Sequence, residues 1–138
     1  MSFDVIHSLS QEQIEDLYSF YPYEWWTEGR ELSKVKVMLD HSDELFAITD
    51  SEKNKLVAFA RVLTDYVFKA IVLDLIVEKS YRQRGLGKML MENILNHPNL
   101  RQVGNIELYC REDMIDFYEV FGFREMSKEI CLLRRENS

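Results

Sequence analysis

A chain of 138 residues, 46% apolar and 30% charged, has room for one folded domain with a single core. Its net charge of −7 argues against a duplex-binding surface, which needs clustered excess lysine and arginine, and no apolar run reaches the roughly 20 residues that span a bilayer. The opening residues, Met1-Ser2-Phe3-Asp4, lack the basic stretch and apolar core of an export signal, so a cytoplasmic protein with Cys110 and Cys131 reduced is expected.

In chain order, Phe3, Val5 and His7 alternate as a short first strand. Ser10-Gln11-Glu12-Gln13 reads as a capping box, followed by Ile14, Leu17 and Tyr18 at helical spacing until Pro22 stops the helix. Thr27 is placed to cap a second helix through Leu32, Val35, Val37 and Leu39, whose periodicity is less clean. Leu45–Ile48 and Leu56–Leu63, separated by the polar turn 50–55, predict a hairpin. A polar break at Thr64-Asp65 leads to an apolar strand over 70–77, then a helix over 85–96 that His97-Pro98-Asn99 ends. A strand over 105–110, a helix over 112–121 and a last strand pair near 123–134 complete a single domain, residues 1–138. There is no repeat, linker or low-complexity stretch, and the polar tail from Arg134 is expected to fray. Strands in antiparallel order followed by strand–helix–strand–helix predict an α/β domain, a mixed sheet with helices on both faces.

The segment joining the 70–77 strand to the next helix is the most informative. It reads Val77-Glu78-Lys79-Ser80-Tyr81-Arg82-Gln83-Arg84-Gly85-Leu86-Gly87-Lys88. Two glycines let backbone approach an anion, and the first amides of a helix present unpaired N–H groups to it, as a pyrophosphate requires. Arg82, Arg84 and Lys88 add positive charge at the same end. This is not a Walker loop, because Arg82 stands where the first glycine belongs and Met89 follows the lysine. Nor is it a dinucleotide fingerprint, because Leu90 occupies the third glycine position. What remains is Arg82-x-x-Gly85-x-Gly87 behind a buried strand.

A second segment, Asp116-Phe117-Tyr118-Glu119-Val120-Phe121-Gly122-Phe123, closes a helical pattern with a glycine at the C-terminal cap. Together the two segments, in this order and about thirty residues apart, resemble the GNAT acetyltransferases. The first is similar to that family's acyl-CoA signature, Arg/Gln-x-x-Gly-x-Gly/Ala, and the second to its Tyr-Glu-Lys-x-Gly-Phe ending, with Val120 in place of the lysine. The resemblance spans roughly residues 44–134. It implies the GNAT fold, with a mixed sheet of about six or seven strands whose central pair splays to admit a pantetheine arm.

The resemblance also implies acetyl-CoA as co-substrate and direct transfer of its acetyl group to a primary amine in a ternary complex. Backbone amides of Leu75, Ile76 and Val77 would hold the pantetheine and polarise the acetyl carbonyl. Arg82, Gln83, Arg84, Gly85, Leu86, Gly87 and Lys88 would hold the pyrophosphate. Tyr118 would stabilise or protonate the leaving thiolate, as a phenol of pKa ~10 can at neutral pH. Arg111 stands where many members carry an asparagine, so it either meets a phosphate or lies in solvent.

The proton acceptor is less determined. Asp74 interrupts an otherwise apolar strand, where burial would raise a carboxyl pKa and suit it to general-base work; the alternative is a satisfied structural carboxylate. Asp65 and Glu24 are weaker candidates, and water could also take the proton. Tyr18 to Trp26 holds six aromatic residues in nine. Family members commonly place this connection at the acceptor site, and Tyr23, Glu24 and Trp26 would suit an amine there. A small-molecule amine is therefore the expected acceptor. The alternatives are an N-terminal or lysine acetyltransferase acting on protein, or an acyl-CoA-binding module without transfer. Arg30/Lys34 and Arg134/Arg135 are expected in solvent. His7, His41 and His97 fall in no motif, so no metal is expected, and the oligomeric state is open, a homodimer included.

Overall fold

The structure is a computed structural model that describes residues 2–24, 29–126 and 129–137. Its centre is a five-stranded sheet in chain order: β1 (Phe3–Ile6), β2 (Glu44–Asp50), β3 (Lys55–Thr64), β4 (Lys69–Val77) and β5 (Asn105–Leu108). The first four pair antiparallel and β5 joins β4 in parallel, so the sheet is mixed as expected.

Helices cover both faces. On one side lie α1 (Gln11–Phe20) and α2 (Leu32–Asp40), whose Leu17, Phe20, Val35 and Leu39 pack on Leu56, Phe59 and Ile76. On the other lies α3 (Leu86–Asn96), whose Leu86, Leu90, Met91 and Ile94 pack on Phe46, Ile48, Val62 and Val72. Burial of these side chains, worth about 1.5–3 kcal/mol each, holds the layers together. The capping box at Ser10 forms in both directions, Gln13 N–H to Ser10 Oγ at 3.2 Å and Ser10 N–H to Gln13 Oε1 at 2.8 Å. Pro22 sits in a 3₁₀ turn, Tyr21–Tyr23, immediately after α1. Helix α2 begins at Leu32 behind Glu31; Thr27, expected as its cap, lies outside the described residues.

Strand β4 is kinked by a bulge. Phe59 pairs with Ile76 and Arg61 with Leu73, so one residue of β3 faces two of β4, and Asp74 within that step has φ +55°. Aspartate tolerates this left-handed conformation better than most residues. The extra residue reverses which face the side chains take. Ala70 and Val72, before it, belong to the α3-side core; Ile76, after it, belongs to the α1-side core.

Two expectations change at the C-terminal end. The predicted helix over 112–121 is a 3₁₀ turn, Glu112–Met114, and a short helix α4, Ile115–Glu119. The predicted strand pair near 123–134 does not form among the described residues, which leaves five strands rather than six or seven. Residues 124–126 and 129–137 are irregular and exposed. Ile130 to Leu133 is a continuous apolar run, not the alternation that would give a strand one buried face. Among the described residues, no helix is long and apolar enough to cross a membrane.

Candidate functional site

The basic turn folds into the frame that an anion would need. Gly85 is the N-cap of α3 at φ +81°, a conformation that favours glycine, and Gln83 is also left-handed at φ +64°. Gly85 has no side chain to cap the helix, and no described atom lies within 4 Å of where its Cβ would stand. The first helical hydrogen bond is Met89 N–H to Gly85 O, so the amides of Leu86, Gly87 and Lys88 precede the ladder. The side chain of Leu86 is buried core, which leaves its amide to meet a ligand. Gly87 also meets a packing demand: a Cβ there would stand 3.3 Å from Phe117 Cζ of α4. It therefore joins the two sequence motifs by packing.

The cations of this turn are not equivalent. Arg84 stacks its guanidinium on the Tyr81 ring at 5.1 Å, and Lys88 is exposed with Glu92 at 3.9 Å. Arg82 turns back towards the sheet: its Nε donates to Val77 O at 3.1 Å and its Nη2 to Glu24 Oε1 at 2.9 Å. The turn is tied to the far end of β2 by Tyr81, whose buried hydroxyl donates to Asp50 Oδ2 at 2.7 Å. That bond is the main reason the Asp50 carboxyl lies below its ordinary range.

Beside the turn, β4 loses its outer neighbour. Pairing with β5 stops at Val72 opposite Leu108, while β4 runs on to Val77. Glu78 N–H bonds Val57 O of β3, so by strand alternation the polar groups of Val77 face the opposite edge, where Arg82 meets the Val77 carbonyl. This is the edge on which a pantetheine amide would add its own hydrogen bonds.

Asp74 is buried as expected, but its carboxylate is occupied. Arg30 donates to both oxygens, Nη1 to Oδ2 at 2.6 Å and Nη2 to Oδ1 at 3.3 Å, and the Tyr21 hydroxyl donates to Oδ2 at 3.2 Å. Arg61 Nε lies 3.3 Å away, within ion-pair distance but without hydrogen-bond alignment. A base here would have to surrender these bonds to accept a proton. Arg30, expected in solvent, instead stacks on Tyr21 at 4.8 Å. Burial opposes its charge, but Asp74 outweighs that and holds the guanidinium above its ordinary range. Burial and then Asp74 push the Tyr21 hydroxyl upward.

A cleft of about 210 Å³ opens between the end of α1 and the end of β4. It brings together five of the sequence candidates, Tyr23, Glu24, Ile76, Val77 and Arg82, with Lys79 beside them. Lys79 Nζ stands 5.8 Å from the Tyr23 ring centre. Glu24, 16% exposed at its side chain, is raised above the ordinary carboxylate range by burial; Arg82 pulls the other way without cancelling it. Asp65 instead caps the β3–β4 turn, accepting from the backbone N–H groups of Val67, Phe68 and Lys69. Trp26 lies outside the described residues. Leu75 packs against the α3-side core rather than lining the cleft.

Tyr118 is positioned by the end of its helix. Phe123 N–H returns to Tyr118 O at 3.3 Å, Gly122 N–H to Glu119 O at 3.0 Å, and Gly122 has φ +91°. This is a Schellman ending, completed by contact between the Tyr118 and Phe123 rings at 6.1 Å. The Tyr118 phenol is pushed up to about 12, by burial first and nearby Cys110 second. Its hydroxyl has no hydrogen-bond partner among the described residues. Arg111 is exposed and borders a shallow depression with Glu112 and Asp113, apart from the cleft lining. Among the described residues no cluster of three or more His, Cys, Asp or Glu could hold a metal ion.

Sequence reasoning missed Tyr21, Arg30, Arg61 and Lys79. Tyr21 is one aromatic among six in its stretch, and Arg30 has no local motif; their partner lies 53 and 44 residues away.

The model of the Acetyltransferase (GNAT) family matches residues 7–123. GCN5-related N-acetyltransferase 1, chloroplastic, from Arabidopsis thaliana is 36% identical over 94 residues, covering 68% of this chain and 48% of its own. Serotonin N-acetyltransferase 2, chloroplastic, from Oryza sativa subsp. japonica is 34% identical over 96 residues, covering 68% of this chain and 48% of its own. The chain thus spans about half the length of the curated relatives it matches. A crystal structure from Xanthomonas campestris pv. campestris, described as a GNAT-family acetyltransferase, superposes with TM-score 0.86 at 26% identity, covering 99% of this chain and 94% of that one.

Proposed function

Because the chain belongs to the GNAT acetyltransferase family, we propose that it transfers an acetyl group from acetyl-CoA to a primary amine on a small molecule. The observation that carries this reading is the junction of an uncapped α3 N-terminus, the open end of β4 and a cleft that holds Glu24. The first suits a pyrophosphate, the second a pantetheine, and the third an acceptor. Backbone amides of 85–88, with Arg84 and Lys88 near them, hold the phosphates.

The acceptor nitrogen attacks the thioester carbonyl carbon, the C–S bond breaks, and the products are the N-acetylated amine and CoA thiol. The amine proton passes to Glu24, whose raised pKa and place in the cleft favour it over Asp74. The thiolate takes its proton from Tyr118, which is protonated throughout the neutral range. Asp74 acts on position instead, holding the β4 bulge against Arg30 and Tyr21.

The small cleft and the Tyr23 ring favour a compact amine over a protein chain. A soybean relative, 33% identical over 103 residues, is named as a histone acetyltransferase, so peptides belong in the same test. The experiment is CoA-thiol release from acetyl-CoA against amines, polyamines, amino acids and lysine peptides. Turnover on small amines is expected. Turnover confined to peptides would move the acceptor to protein, and CoA binding without turnover would leave a binding module.

A further inference from the structure

Arg82 lies on the turn that begins the donor site, yet both of its hydrogen bonds run to the acceptor side. Nε donates to Val77 O at the end of β4, and Nη2 donates to Glu24 Oε1 within the cleft. Among the described residues, the remaining charged groups lining the cleft are Glu78 and Lys79. Glu78 is occupied by Ser80, whose backbone N–H donates to its Oε2 at 2.9 Å and whose hydroxyl donates to the same oxygen. Lys79 stands over Tyr23. Arg82 is 49% exposed at its side chain, so it keeps room to turn, whereas Glu24 is 16% exposed.

An anion at the α3 N-terminus, three residues along the same turn, competes with Glu24 for this guanidinium. We infer that Arg82 is a positioning residue shared by the two substrates: binding of the CoA pyrophosphate draws it from Glu24, and that carboxylate then takes the acceptor's proton more readily. Glu24 thereby stays paired with Arg82 until the donor is bound. The coupling is reciprocal, because whatever the donor does to the Glu24–Arg82 pair, the pair does to the donor. This inference rests on the reading of residues 82–88 as a pyrophosphate site.

The test is calorimetric titration with CoA of the wild type and Glu24→Gln, each first shown to unfold at the same temperature. Removing the competitor should tighten CoA binding by about two- to fivefold, the range of a partly exposed ion pair. Equal or weaker binding in E24Q overturns the coupling while leaving the donor site intact. Failure of the wild type itself to bind CoA would strike the donor reading, and the coupling with it. A second readout is carboxyl ¹³C NMR of Glu24, whose titration should move to higher pH when CoA is added. Arg82→Gln, saturated with CoA, should show no such movement. Movement that persists in R82Q would belong to the charge of the ligand itself and would also overturn the proposal.

Discussion

In the proposed reaction, Tyr118 and Glu24 divide the proton work between two environments. Burial sets both, in opposite senses for catalysis. It keeps the phenol protonated to about pH 12, ready to donate, and it raises the carboxyl so that its conjugate base accepts a proton more readily. Tyr118→Phe should leave CoA affinity nearly unchanged and slow transfer by about a hundredfold or more, as single-turnover kinetics would show. The raised Glu24 pKa gives the rate an acid limb: activity is present above that value and falls as pH drops through it. The limb should lie above the ordinary carboxylate range and vanish in Glu24→Gln, read from kcat/KM for the acceptor against pH.

At the scale of elements, the bulge of β4 rests on one carboxylate. Asp74, 3% exposed at its side chain, is matched to Arg30 and Arg61. Asp74→Asn would withdraw this anion from two guanidinium groups at a cost of about 3 kcal/mol, measured by urea unfolding. The same variant should lower kcat while keeping the acid limb if, as proposed, Asp74 positions the strand and Glu24 takes the proton. Loss of the limb in D74N would return the base to Asp74.

The turn after β4 was legible because its information is local: a buried strand, two glycines and three cations within one window. The Schellman end at Gly122 was legible for the same reason. The Asp74 network was only half legible. A carboxylate amid apolar residues announces burial, but its partners arrive from Tyr21 and Arg30 through tertiary folding, and the charge balance depends on them. The spacing that marks Gly87 for a ligand says nothing of its neighbour Phe117, which comes to it only through tertiary folding. The last strands failed because residues 130–133 are apolar without alternation, so composition suggested a strand that no second face supports.

Across the whole molecule, charge and pH act on binding and on stability separately. On the proposed small-amine reading, a net charge of −7 favours cationic acceptors, so KM for a diamine should rise about two- to fivefold as salt is raised, while KM for a neutral aromatic amine stays level. Stability has its own sign. The Asp50 carboxyl is lowered in the fold, chiefly by its bond from Tyr81, so its contribution is present above the ordinary carboxylate range. It is lost as pH falls below that range through the lowered folded value. Tyr81→Phe should therefore melt at a lower temperature than wild type at pH 7, and the gap should narrow as the solution is acidified below the ordinary carboxylate range.

The extra residue in β4 behaves like a frameshift in three dimensions. Everything between it and the turn inherits an inverted parity: Ile76 reaches the α1 side, and the Val77 carbonyl reaches the edge where Arg82 waits. Deleting residue 74 would remove no ligand contact by itself, yet it would restore the strand's original parity and turn each of those groups to the wrong side. One codon therefore sets the handedness of the whole junction between cleft and turn, and an insertion elsewhere in the strand could rescue what its deletion destroys.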